Sequence, residues 1–208
     1  MARTKSRFVC QECGYVASSW LGRCPECGGW NTLVEEAEVT AKASKSYLPA
    51  NNEKLRPRTI ASVAQTKVER LATGIREFDR VLGGGVVPGS LVLLGGTPGI
   101  GKSTILLDAG LRFGQQGIKV LYVSGEESEE QTAMRAVRLG GAQANDNLLI
   151  LTATDLDAIL AQANALKPQL LIIDSIQTMY NPELQTAAGS VGQVRECTAK
   201  LLQFAKST

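Results

Sequence analysis

The sequence predicts an α/β fold, a mostly parallel sheet flanked by helices, preceded by a small four-cysteine metal module. Three observations predict it. Two CxxC pairs lie within the first 27 residues. From Glu69 onward, apolar runs alternate with helix-like segments, the pattern of strands joined by crossover helices. One apolar run leads into Gly96-Thr97-Pro98-Gly99-Ile100-Gly101-Lys102-Ser103, which fits GxxxxGK[ST] without mismatch.

The chain has 208 residues, 44% of them hydrophobic and 20% charged, ordinary for a globular protein and unlike a disordered one. The absence of His excludes Ser-His-Asp triads, Cys-His dyads and His-ligated metals. Met1 to Cys10 is polar and basic, so no signal peptide is expected. The longest apolar runs are about four residues, too short to span a bilayer. With its cysteines clustered, the chain is expected in a reducing cytoplasm, away from any membrane. The net charge of +2 gives no strong polyanion signal. Residues 1–69 carry ten bases and seven acids, and residues 70–208 carry twelve and thirteen, a bias small enough for solvated surface.

Three zones are expected: a zinc-binding module over 7–34, a linker over 35–68 with little periodicity, and a nucleotide-binding core over 69–208. In the core, strands are predicted at Leu91–Leu94, Lys119–Ser124, Leu148–Leu151 and Leu170–Asp174. Helices are predicted at Lys102–Gln116, Glu129–Leu139, Leu156–Leu166 and Val194–Lys206. Asp155 is placed as an N-cap, and Pro168 ends the helix that follows it. Strands joined in this way should be parallel, with right-handed crossovers.

In the head, ten residues separate Cys10-Gln11-Glu12-Cys13 from Cys24-Pro25-Glu26-Cys27. Each pair can form one tight knuckle, and two knuckles can close a tetrahedron around Zn²⁺. Gly14 and Gly28 follow the second cysteines, where the knuckle often needs positive φ. Four thiolates leave no open coordination position, so the site is expected to be structural. A segment this short depends on metal for its folding free energy. A redox dithiol and an iron–sulfur cluster are the competing readings. Trp20 and Trp30 flank the second pair, either packing over the knuckles or offering a base-stacking or partner surface.

In the core, the glycines of the phosphate loop let backbone N–H groups turn inward at a helix N-terminus, a ready anion site. Lys102 should reach the β- and γ-phosphates of ATP, and the Ser103 hydroxyl should ligate Mg²⁺. Thr104 either approaches the α-phosphate or packs. Leu170-Leu171-Ile172-Ile173-Asp174 has the Walker B form, placing Asp174 on the magnesium through a water. Glu126 and Glu127 follow a strand end, where a carboxylate can polarise the attacking water. Glu126, nearer the strand, is the first choice and Glu127 the alternative. Both could instead extend the acidic entry to the next helix, for which Ser128 is the expected N-cap. Cys197 reads as a small buried residue, and 180–191 as a mobile loop at the strand-exit face.

Cys10-x₂-Cys13-Gly14-Tyr15, Trp20-x-Gly22-Arg23-Cys24-Pro25-x-Cys27 and Trp30-Asn31 resemble the zinc motif of the bacterial RadA (Sms) family. Thr73-Gly74-Ile75, Phe78-Asp79-Arg80-Val81-Leu82-Gly83-Gly84-Gly85, the phosphate loop and Val123-Ser124-Gly125-Glu126-Glu127-Ser128 are similar to the same family's RecA-like ATPase. The resemblance implies a RecA-like P-loop core and a homo-hexameric, DNA-dependent ATPase of recombination and repair that drives branch migration. It implies as partners single-stranded and branched DNA, the recombinase, and replication and repair proteins. The family's Lys-Asn-Arg-Phe-Gly motif and Lon-protease-like domain are expected beyond Thr208, so the chain reads as an N-terminal fragment. In RecA-like sheets, the strand after Walker B lies between the Walker B and phosphate-loop strands, and this chain stops before it. The competing functions are a KaiC-like regulatory ATPase or kinase, and a zinc adaptor with a nucleotide switch.

Overall fold

The computed structural model describes residues 6–37, 57, 59–64, 69–141, 146–184 and 186–207. In the head, β1 (Ser6–Cys10) pairs antiparallel with β2 (Val16–Ala17) and β3 (Leu33–Ala37), in the order β2-β1-β3. Two matching turns carry the cysteine pairs. Gly14 N–H donates to the Cys10 carbonyl and Gly28 N–H to the Cys24 carbonyl, each at 2.9 Å. Both glycines sit in the left-handed region, at φ 77° and 75°, where a Cβ would be strained. The buried centre is Cys10, Ala17, Cys24 and Leu33, with Phe8, Tyr15 and Leu21 packed against it.

The packing reading of the tryptophans does not hold. Trp20 is 55% exposed and Trp30 71%. The small centre is already filled by cysteines and short side chains, so two indoles have no room beneath the sheet. Trp30 lies instead under the Arg23 guanidinium, 5.8 Å from the ring centre, while Arg23 Nε donates to the Gly28 carbonyl at 3.1 Å.

Most of the expected linker lies outside the described residues. Within its bounds, β3 continues to Ala37 and a short helix, α1, covers Ile60–Ala64. Beyond it come α2 (Arg76–Val81), α3 (Lys102–Gln115), β4 (Val120–Ser124) and α4 (Glu129–Arg138). Then follow β5 (Leu148–Thr152), α5 (Leu156–Leu166), β6 (Leu170–Asp174) and α6 (Val191–Ser207). The core sheet is parallel, in the order β5-β4-β6.

All five residues of β4 are buried, as a central parallel strand covered on both faces requires. Its alternation divides the core in two. Val120 and Tyr122 join Leu107, Leu111, Phe113 and Ile172 on one face. Leu121 and Val123 join Leu156, Ile159, Met179, Cys197 and Leu201 on the other. Helix α3 comes close to the sheet at Gly110, where a Cβ would meet Ile172 at 3.3 Å and Leu148 at 3.4 Å. Ser128 forms a capping box with Gln131 at the start of α4. Asp155 caps α5 by accepting from the N–H groups of Asp157 and Ala158.

The strand expected at Leu91–Leu94 is corrected. No described residue pairs with this segment, and Val92 and Leu93 are 45% and 76% exposed. A strand needs a hydrogen-bonded neighbour. Strand β6 pairs only with β4 among the described residues, and 91–94 joins neither sheet. Leu91 alone of the four packs against the second core cluster.

In the segment expected to be a mobile loop, Asn181, Glu183 and Thr186 are tied to α6. The buried Gln193 accepts from Asn181 N–H at 2.8 Å and donates to the carbonyls of Asn181 and Thr186. Lys200 Nζ donates to Asp157, Asn181 and Glu183 at 3.1–3.2 Å. No helix among the described residues is long and apolar enough to cross a membrane.

Candidate functional site

The head gathers four sulfurs. Cys10, Cys13, Cys24 and Cys27 place their Sγ atoms within 4.8 Å of one another. The separations Cys10–Cys27 and Cys13–Cys24 are 3.7 and 3.6 Å. Zinc–sulfur bonds of about 2.3 Å in a tetrahedron set sulfur edges near 3.8 Å, so the cage fits Zn²⁺. Its electrostatics call for a cation. The Thr32 hydroxyl, 3.2 Å from Cys10 Sγ, draws that thiol down to about 6. Against the help of the Gly29 backbone, desolvation and the crowding of Cys24 and Cys10 push Cys27 up to about 12. Four thiolates this close repel one another unless a divalent ion sits between them.

In the core, the phosphate loop runs from Gly96 to Ser103 and opens α3. Gly99 and Gly101 take positive φ of 77° and 100°, turning the backbone toward the helix N-terminus. Thr97, Pro98 and the exposed Ile100 complete the turn. Lys102 folds back over it, its Nζ donating to the Gly96 and Thr97 carbonyls at 2.9 and 3.0 Å. A cavity of about 240 Å³ opens here, lined by Gly99, Gly101, Lys102, Ser103, Thr104 and Arg135.

Seventy-one positions separate Ser103 from Asp174, yet Ser103 Oγ donates to Asp174 Oδ1 at 3.0 Å. This hydroxyl and carboxylate are hard oxygen donors of the kind Mg²⁺ takes alongside nucleotide phosphates, so the pair fits that ion. The other carboxylate oxygen, Oδ2, accepts from the Tyr122 hydroxyl at 2.6 Å. Burial, and then that bond, pushes the Tyr122 phenol far above its usual range.

The two glutamates part company. Glu126 is exposed and accepts from Ser175 Oγ at 2.9 Å, one residue past Asp174. Glu127 turns back and ion-pairs with Arg135 of α4. The other terminal nitrogen of Arg135, Nη1, is buried without a hydrogen-bond partner. Arg135 also lines the phosphate-loop cavity, and a guanidinium N–H there is a donor of the kind that pairs with phosphate oxygens.

The structure thus brings Lys102, Ser103, Thr104, Asp174 and Glu126 to one end of the sheet. Three residues that sequence reasoning missed join them. Tyr122 carried a signal, since a tyrosine in a fully buried strand must find an acceptor for its hydroxyl. Arg135 and Ser175 carried none, because their partners come from tertiary geometry.

Comparison with known proteins agrees on both halves. The family described as an AAA domain matches residues 56–208, and the rubredoxin metal binding domain family matches residues 8–35. The DNA repair protein RadA of Halalkalibacterium halodurans is 49% identical over 100% of this chain and 45% of its own length. That of Bacillus subtilis is 47% identical with the same coverage. That of Streptococcus pyogenes serotype M6 is 49% identical, again over 45% of its length. The chain therefore spans less than half the length of these relatives.

Proposed function

From the premise that this chain belongs to the AAA domain family, and within it to the RadA proteins, we propose that it carries the zinc head and motor core of a DNA repair ATPase. The observation that carries the reading is the Ser103–Asp174 contact at the mouth of the phosphate-loop cavity. It joins a loop hydroxyl to a strand-end carboxylate, the pair that a nucleotide-bound magnesium requires.

On this reading the chain divides into a zinc head (7–34), a linker (35–68) and a RecA-like core (69–208). The backbone of Gly96 to Gly101 holds the β-phosphate, Lys102 the β- and γ-phosphates, and Thr104 the α-phosphate. Ser103 and Asp174 hold Mg²⁺, which when bound offsets charge developing on the transferred phosphoryl group. Glu126 accepts the proton of the attacking water. Glu127 is committed to Arg135, which favours Glu126 for that role. The cysteines hold a structural zinc.

The finer reading is DNA-dependent: a homo-hexamer acting in the cytoplasm on single-stranded and branched DNA, driving branch migration with the recombinase and replication and repair proteins. The RadA relatives support it, and the cysteine head favours it over a KaiC-like regulatory kinase. The test is ATP hydrolysis by the full-length protein with and without single-stranded DNA. Stimulation by DNA is expected. Hydrolysis indifferent to DNA would overturn the DNA-dependent reading and leave a regulatory ATPase.

A further inference from the structure

We propose that Tyr122 is a positioning residue for the divalent cation: its buried hydroxyl fixes one oxygen of Asp174 so that the other faces Ser103 and the metal. The inference deepens, and rests on, the reading of Ser103 and Asp174 as the magnesium pair.

The geometry starts from the sheet. Strands β4 and β6 run parallel, with Tyr122 opposite Ile172 and Ser124 opposite Asp174. The residue directly opposite Asp174 is already engaged. Ser124 Oγ donates to the Glu127 carbonyl at 2.8 Å and accepts from the Glu127 N–H at 3.0 Å. Tyr122, two residues earlier and on the other face from Val123, reaches along the strand instead. Its hydroxyl donates to Asp174 Oδ2 at 2.6 Å. Its ring is 1% exposed and packs in the cluster of Leu107, Val120, Ala136 and Ile172, which leaves it little freedom to swing.

Asp174 is thereby held at both oxygens, by Ser103 at Oδ1 and by Tyr122 at Oδ2. The two anchors differ in kind. Ser103 stands at the cavity and is the hydroxyl that would turn to a metal. Tyr122 belongs to the core and stays where it is. When Ser103 turns away, the Tyr122 bond is what keeps the carboxylate plane from rotating. Outer partners that orient a ligating carboxylate in this way commonly contribute 10–100-fold to metal affinity. A phenol merely satisfied by a nearby acceptor would contribute nothing specific to the metal.

The experiment uses the full-length protein with a non-hydrolysable ATP analogue and Mn²⁺ as the probe, read by electron paramagnetic resonance. A fluorescent ATP analogue in buffer with no added divalent cation measures nucleotide affinity without Mg²⁺ or Mn²⁺ while the head keeps its zinc. Tyr122→Phe should weaken Mn²⁺ binding about 10–100-fold while nucleotide affinity without Mg²⁺ or Mn²⁺ stays within about twofold. Replacing Tyr122 by 3-fluorotyrosine, which keeps the donor, should retain parental Mn²⁺ affinity. Parental Mn²⁺ affinity in Tyr122→Phe, with a loss in Asp174→Asn, would overturn the role of Tyr122 alone. Parental affinity in both would overturn the magnesium pair beneath it. Nucleotide binding without Mg²⁺ or Mn²⁺ lost in Tyr122→Phe, or Mn²⁺ affinity lost with 3-fluorotyrosine, would assign the residue to packing and overturn the inference.

Discussion

Replacing Glu126 and Glu127 one at a time by glutamine separates chemistry from architecture, because the structure gives the two side chains different surroundings. Glu126 is exposed and touches one hydroxyl, that of Ser175. Glutamine keeps an oxygen acceptor for that hydroxyl, so the stability change should stay within about 0.5 kcal/mol. It cannot take a proton from water, and loss of a general base slows hydrolysis roughly 10²-fold or more. At about 1.36 kcal/mol per tenfold, that is about 2.7 kcal/mol on the barrier. Glu127 is ion-paired with Arg135, the two side chains being 32% and 20% exposed. Arg135 already has a buried Nη1 without a partner. Removing the charge opposite it should cost about 1–3 kcal/mol, toward the lower end because water still reaches the pair. The assays are single-turnover ATP hydrolysis and thermal denaturation of the full-length variants. Glu126→Gln should melt with the parent, bind ATP and hydrolyse it roughly 10²-fold or more slowly. Glu127→Gln should melt earlier and retain more turnover. Parental hydrolysis in Glu126→Gln with loss in Glu127→Gln would refute the argument and move the base to Glu127.

Replacing any one of Cys10, Cys13, Cys24 and Cys27 by Ala should release one zinc per chain and unfold the head while the core survives; metal analysis and core denaturation check this, and protein without zinc under reducing conditions would sink it. Lys102→Ala in the full-length protein should abolish ATP turnover, and a parental rate would contradict the phosphate-loop assignment. Asp79 accepts from the N–H groups of Thr73 and Gly74 at 2.8 and 3.1 Å, and against desolvation these bonds hold its carboxyl below the usual range. Its stabilisation should be complete above the ordinary carboxylate pKa near 3.9 and fade as pH falls through the depressed folded value, so acid denaturation of Asp79→Asn should be shallower than the parent's. Residues 70–208 carry net −1, so the 208-residue chain should bind single-stranded DNA weakly and with strong salt sensitivity, and the full-length protein with ATP more tightly; equal anisotropy titrations at one salt concentration would refute assembly as the source.

What could be read from the sequence follows the range of the interactions that decide each feature. The Ser128 and Asp155 caps, the left-handed Gly14 and Gly28 and the run of β4 depend on residues within a few positions, and local chemistry dictates them. The segment 91–94 has the composition of a strand, but composition does not supply a hydrogen-bonded neighbour. The tryptophans mislead for a related reason. Large apolar side chains are usually buried, but burial needs volume, and the head's small centre is already taken by Cys10, Ala17, Cys24 and Leu33. The position of Trp30 reflects an arginine partner instead.

The site follows the same logic with one more step. A phosphate loop is written in consecutive residues because its work is done by consecutive backbone N–H groups and the two side chains beside them, so spacing alone reveals it. Asp174 is legible only through its strand, since a lone Asp after an apolar run has many other uses. Glu126 and Glu127 cannot be told apart by sequence, because both follow the same strand end. What distinguishes them is Arg135, which α4 brings back to Glu127 eight positions on, and Ser175, which β6 delivers to Glu126 from 49 positions away. The residues proposed to contact the phosphates are thus legible in local sequence. Tyr122, which holds Asp174, and Arg135, which holds Glu127, sit on neighbouring elements, and their partners are set by how the sheet and helices pack. Substitutions at Tyr122 or Arg135 should therefore alter the site while leaving the phosphate-loop motif intact.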